Sequence, residues 1–220
     1  MNKKIWGLAI LTVGVGMLVV LFLSIFVVKW RVDLSQREGD NLYRLSDKKR
    51  VGQTFIAGKN NLSRLTLDLK NASLKNEKPV YFHLRQVDGP GDLRKIKISG
   101  FNIGDPSSVR FQFEPIPDSF QKKYYFYLDS PDSSDSDGIE VYYSSQDLYS
   151  GGEMMINDQE AIGDLRFSSF YFSDSKMTVF RETIGNFTSR LLTDKTFTAL
   201  YLTLLILTFS SGLLLNRPND

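Results

Sequence analysis

Few side chains in this sequence can carry covalent or metal chemistry. There is no cysteine, which excludes thiolate catalysis, disulfides and cysteine-based metal sites. His83 is the only histidine, and it shares one face of a strand-like stretch with Tyr81 and Arg85. That placement fits a solvated or hydrogen-bonded ring better than a catalytic one. Asp132-Ser133-Ser134-Asp135-Ser136-Asp137-Gly138 invites a calcium reading. With Gly138 at the sixth loop position of an EF-hand, Ser133 stands first and Ser144 twelfth, and neither supplies the carboxylate needed there. Asp158 and Asp164 are left as weak calcium candidates between loops, and no bound metal or cofactor is expected. Gly-x-Ser-x-Gly, Walker and dinucleotide fingerprints are missing from the central region, and no carboxylate pair for glycoside hydrolysis can be located. The chain therefore reads as a non-enzyme.

Aromatic residues point elsewhere. Tyr125, Tyr127 and Tyr142 alternate with Phe126 and Val141, so they project from the opposite faces of their strands. Tyrosines on a sheet face can stack on sugar rings while their hydroxyls hydrogen-bond, and Arg85 and Gln112 add polar contacts. The rival reading is that these rings only seal the edges of a sandwich. The two tryptophans, Trp6 and Trp30, both precede this region, which counts against a strong sugar platform.

The elements that carry these residues have a period of two. Val51, Gln53, Phe55 and Ala57 alternate with Gly52, Thr54 and Ile56, and Leu65, Leu67 and Leu69 alternate with Arg64, Thr66, Asp68 and Lys70. Similar runs recur at 79–87, 94–98, 109–114, 124–129, 139–143, 153–156 and 164–172. Pro115 and Pro117 cannot donate to a ladder and should break it. About nine short strands without a convincing helix predict an all-β extracytoplasmic domain, an antiparallel jelly-roll-type β-sandwich over residues 51–175. Residues 29–50 lack sustained periodicity and read as a stalk or ordered lead-in. Phe180, Ile184, Phe187 and Leu191 then give one face of an amphipathic helix over 176–195.

Two runs bracket this domain. Residues 5–28 carry no charge, with Trp6 near the start and Trp30 just past the end, and they follow a short basic N-terminus, 1–4. A run of that length exceeds the apolar core of a signal peptide and lacks a small-x-small cleavage site, so a retained membrane helix is favoured, with Trp6 and Trp30 at the interfaces. Residues 196–215 form a second charge-free run, read as a second crossing rather than a buried core helix, before a tail at 216–220. Two crossings put both termini in the cytoplasm and the centre outside. Between Lys29 and Lys195 basic and acidic residues are equal, so the formal charge of +2 indicates no affinity for nucleic acid. Inside that region 44–123 holds 16 basic and 8 acidic residues, whereas 124–174 holds 1 and 11. Cross-strand complementarity is the preferred account over a basic ligand patch.

The ordered pieces Gln53-Thr54-Phe55, Pro115-Ile116-Pro117-Asp118-Ser119, Lys123-Tyr124-Tyr125-Phe126-Tyr127-Leu128, Tyr149-Ser150-Gly151-Gly152 and Asp164-Leu165-Arg166-Phe167 resemble a known family. It is the exported jelly-roll, carbohydrate-binding-like module that sits between membrane helices in bacterial and archaeal envelope proteins, often beside glycosyltransferase-like membrane regions. The resemblance covers about residues 51–172 and implies a role in envelope polysaccharide biology. Only one apolar run follows the module here, so no transferase activity is implied. The expected partners are the lipid bilayer and envelope polysaccharide. A non-catalytic accessory subunit of a membrane complex, contacting other membrane proteins, is the alternative.

Overall fold

The computed structural model describes residues 7–16, 30–173 and 175–215. Trp30–Phe172 forms one compact unit, and the flanking segments form another. The first unit is a sandwich of two antiparallel sheets. One sheet contains β1 (Trp30–Gln36), β2 (Asn41–Leu45), β4 (Leu62–Lys70), β7 (Ser107–Ile116), β9 (Ile139–Ser144), β12 (Asp164–Leu165) and β13 (Phe167–Phe172). Its order is β1-β13-β4-β9-β12, with β2 on β9 and β7 on β4. The second sheet has the order β11-β10-β3-β8-β5-β6, from β3 (Arg50–Ile56), β5 (Pro79–Gln86), β6 (Asp92–Ser99), β8 (Lys123–Asp129), β10 (Met154–Ile156) and β11 (Gln159–Ala161).

Alternation in the sequence becomes two faces. Leu65, Leu67 and Leu69 of β4 and Tyr124, Phe126 and Leu128 of β8 point into the core, where all six are buried. Rings join the sheets: Phe82 of β5 stacks on Phe111 of β7 at 4.5 Å, and Phe126 of β8 meets Phe167 of β13 at 5.3 Å. Residues 29–50, expected as a stalk or lead-in, supply β1 and β2. A register shift between Val32 and Leu34 disrupts the period of β1, which is why alternation is not legible there. The hairpin of β10 and β11 turns on Asn157 and Asp158, both at positive φ, and its three-residue strands are too short to show a period. Pro115 does not end its strand. It falls where the pairing of β4 and β7 shifts between Leu62 and Arg64, so the ladder bulges around it.

A buried polar clamp ties the two sheets together. Gln53 of β3 donates from Nε2 to Asp164 Oδ1 of β12 at 2.7 Å, and its carbonyl accepts the Leu165 N–H at 3.1 Å. Asp164 is fully buried, and its other oxygen accepts the N–H groups of Leu148 and Tyr149. The Tyr149 hydroxyl accepts the Ile56 N–H, while Gly152 lies so close to Thr54 that an added Cβ would meet its carbonyl oxygen at 1.9 Å. Three of the pieces that carry the family resemblance thus converge on one structural device.

In the second unit, α1 (Gly7–Gly16) is the described part of the first apolar run. The remainder of residues 5–28, Trp6, the N-terminus 1–4 and the tail 216–220 lie outside the described residues. Gly14 of α1 faces Thr208, whose Oγ1 an added Cβ would meet at 2.9 Å. Helices α2 (Lys176–Thr193) and α3 (Lys195–Leu215) lie over the segments 176–195 and 196–215. They are not continuous, because Asp194 breaks between them and caps α3 by accepting the Phe197 N–H at 3.0 Å. Phe187 packs edge-on to Phe197 and Tyr201 at this corner. Among the described residues no single helix is long and apolar enough to cross a membrane. The pair Thr183–Thr193 and Lys195–Thr208, bent by 102°, meets that test only together, by length and composition.

Replacing Gln53 with Ala leaves a buried carboxylate and the Leu165 N–H short of partners, and should cost about 2–4 kcal/mol. Urea unfolding followed by near-ultraviolet circular dichroism should show this loss. Gln112→Ala at the surface should shift stability by less than about 0.5 kcal/mol.

Candidate functional site

The outer face of the second sheet gathers most of the polar and aromatic chemistry in the sandwich. Pairing places Tyr127 between Gly52 and His83, and His83 beside Lys95. One row along, Tyr125 lies between Thr54 and Arg85, and Arg85 beside Asp92. The next row runs Arg50, Asp129, Tyr81 and Lys97. The period of β8 that sends Phe126 inward sends Tyr125 and Tyr127 outward, as the sequence predicts.

These two tyrosines do not form an open platform. Tyr125 is 3% and Tyr127 9% exposed. Gly52 makes the space, since a Cβ there would lie 2.6 Å from the Tyr125 ring and 2.8 Å from Tyr127 Cβ. Tyr125 stacks on Tyr127 at 5.4 Å, and Tyr127 stacks on His83 at 4.3 Å with planes 6° apart. The Arg85 guanidinium covers Tyr125 at 4.8 Å, and that of Arg50 lies 5.5 Å from Tyr127. The Tyr125 hydroxyl donates to Asp158, which also pairs with Arg50. Burial and the Asp158 carboxylate push the Tyr125 phenol up, so it remains a donor.

His83, 4% exposed, lies between two carboxylates. Nδ1 is 2.6 Å from Asp92, and Nε2 is 3.4 Å from Asp129 without hydrogen-bond alignment. Burial alone would lower the His83 pKa, but Asp129 and Asp92 outweigh it and hold it above the ordinary histidine value. The result is a ring bracketed by two acids, which favour its protonated form. Sequence reasoning identified the face that His83 occupies but not this bracket, whose acids come from β6 and β8.

Tyr142 and Gln112 belong to the other sheet. Tyr142 of β9 has the Arg166 guanidinium 5.0 Å from its ring, and exposed Gln112 of β7 stands opposite Arg64 of β4. The five expected contact residues are therefore split, with Tyr125, Tyr127 and Arg85 on one outer face and Tyr142 and Gln112 on the opposite one. Trp30, expected at a membrane interface, begins β1, with Phe172 at 6.1 Å and the Arg64 guanidinium at 4.3 Å.

The weak metal candidates are engaged separately. Asp164 belongs to the clamp and Asp158 to Arg50 and Tyr125. In the 132–138 loop, Asp137 accepts from the N–H and hydroxyl of Ser134, and Asp135 pairs with Lys49 and accepts from Ser46. No group of three or more histidine or acidic residues suited to a metal occurs among the described residues. A cleft of about 600 Å³ runs beside this loop, lined by Ser46, Asp47, Lys48, Lys49, Ser133, Ser134, Asp135 and Asn157.

Charge pairing accounts for much of the acidic half of the domain. Arg44 and Lys70 meet Glu140, Lys49 meets Asp135, Arg50 meets Asp158 and Lys123 meets Glu153. The hairpin of β5 and β6 stays outside these pairs. Lys95 and Lys97 are exposed on the edge strand β6, their Nζ atoms 4.9 and 5.9 Å from the Tyr81 ring, and neither forms an ion pair among the described residues.

A raised histidine pKa stabilises the fold fully below the unfolded value, about 6.5, and the contribution is lost as pH rises through the raised folded value. The stability gap between the natural protein and His83→Gln should therefore be widest below about pH 6.5 and narrow as pH rises through the raised folded value. Urea midpoints measured across that range read it directly.

No known protein-family model and no curated protein matches the chain. Among solved structures, it is similar to the crystal structure of Yersinia pseudotuberculosis-derived mitogen (YPM), with 10% identity over 54% of this chain and 95% of that one, at a TM-score of 0.29. A likeness at that score carries no inference about function.

Proposed function

We propose that this protein is a membrane-tethered, non-catalytic β-sandwich that binds acidic glycans of the cell envelope on the outer face of its second sheet. The observation that carries this reading is the pair Lys95 and Lys97. Both are exposed on an edge strand, both lie over the half-buried Tyr81 ring, and neither has a carboxylate partner among the described residues. Two such ammonium groups beside one aromatic ring suit a sugar that bears carboxylate or phosphate groups. The buried Tyr125 and Tyr127 stiffen this face rather than touch the ligand.

The tether is supported by exposed apolar helices. Leu8, Val13 and Val15 of α1 and Leu200, Leu202, Leu205, Ile206 and Leu207 of α3 are each 44% or more exposed, a pattern that water disfavours and lipid accepts. Trp30 and Phe172 face one another across β1 and β13, so the chain enters and leaves the sandwich at one end, as two anchors in one membrane require. An accessory role in a membrane complex is the second reading. It is favoured by Gly16, where an added Cβ would meet nothing within 4 Å among the described residues, so a partner helix could approach there.

In the first reading, the full chain in phosphatidylcholine nanodiscs binds a polyuronate and not a neutral glucan. Binding weakens with salt, and Lys95→Gln with Lys97→Gln lowers the affinity about tenfold or more, roughly 1.4 kcal/mol. Equal binding of both polymers, or unchanged affinity in the double variant, would overturn it.

A further inference from the structure

We infer that the end of the sandwich where the chain enters and leaves rests on the lipid headgroups, with Phe120 as its apolar contact and Lys59 and Lys122 as its cationic ones. This inference rests on the membrane tether proposed above and names the surface involved. Trp30 and Phe172 are register partners at this end, and the Phe172 N–H donates to the Asn61 carbonyl at 2.8 Å. Leu62 pairs with Ile116, so the loops 57–61 and 117–122 share the same end as the two chain exits.

The 117–122 loop is pinned. The buried Ser119 donates to the Lys59 carbonyl at 2.8 Å and accepts the Leu62 N–H at 3.0 Å. The Phe120 N–H donates to Asn60, and the Gln121 N–H donates to the Ala57 carbonyl with Gln121 at positive φ. On that fixed tip Phe120 is 51% exposed, and Lys59, Lys122 and Asp118 are exposed around it.

Exposure alone does not single out Phe120, because Phe101 is 75% exposed at the other end. Connectivity does. The charge-free run ends at Val28 and β1 starts at Trp30, two residue steps or at most about 7 Å later. A tether of the kind proposed above, attached this close to Trp30, keeps this end of the sandwich near the lipid interface, where aromatic rings and lysines are favoured. Phe101 adjoins Gly100, whose carbonyl accepts from Asn71 just past the far end of β4. The nine residues of β4 separate the two ends by roughly 30 Å.

The chain has no native cysteine, so single thiols can be labelled specifically. Full-length F120C and F101C would each carry an environment-sensitive fluorophore in vesicles of phosphatidylcholine and phosphatidylglycerol, with and without brominated acyl chains. The expected result is quenching at position 120 severalfold stronger than at position 101. If the protein floats with the vesicles and the two labels are quenched equally or not at all, the docking inference fails while the tether stands. If the protein does not float with them, the tether itself is refuted and the inference with it.

Discussion

Asp164 has no solvent exposure, and the sandwich is arranged around satisfying the oxygens of its side chain. Burying such a group without partners costs several kcal/mol. Here it accepts three hydrogen bonds, one from Gln53 on the opposite sheet and two from the backbone of the 145–152 loop. The same contacts align β3 with β12 and bring Tyr149 over Phe167 at 5.8 Å. An apolar core alone permits two sheets to slide, whereas a polar link with one satisfied geometry specifies their alignment. The glycine at 152 follows from this constraint, because the loop must pass against Thr54.

With the core acids satisfied and the peripheral ones paired, the second sheet is left with an unequal charge distribution. Arg44, Lys49, Arg50 and Lys123 each meet an acid from the later half of the chain, but only Arg44 and Glu140 do so as partners across paired strands, and the other three acids lie in loops or turns. The stack of His83, Tyr127 and Tyr125 absorbs Asp92, Asp129 and Asp158 in the same way. Lysines on an exposed edge strand also discourage strand-to-strand aggregation, so Lys95 and Lys97 serve the fold whether or not a ligand is present. Their position over the Tyr81 ring is what recommends this edge strand as the proposed recognition surface.

Much of this architecture is legible in the sequence where the two faces of a strand differ in residue type. Strands β3, β4, β5, β7, β8 and β9 announce themselves by period two because apolar side chains line the face toward the core and more polar ones the other, although in β3 and β8 both faces are buried. β1 is hidden by its register shift, β2 by its mostly exposed residues, and β11 by its three-residue length. The outward direction of Tyr125 and Tyr127 is local information and is read correctly. Their burial is not, since it depends on Gly52 one strand away and on Arg50 and Arg85 folding over the rings. The grouping of Tyr142 and Gln112 with them fails for the same reason: alternation tells which face of a strand a residue occupies, never which sheet the strand joins.

Hydrogen exchange of the full chain in nanodiscs, with and without a saturating polyuronate, tests the central claim that the clamp serves the fold while the β5 and β6 hairpin serves binding. Ligand should slow exchange over 79–99 and leave 145–167, already protected by the clamp, unchanged. Protection confined to the opposite sheet, around 107–116 and 139–144, would contradict it.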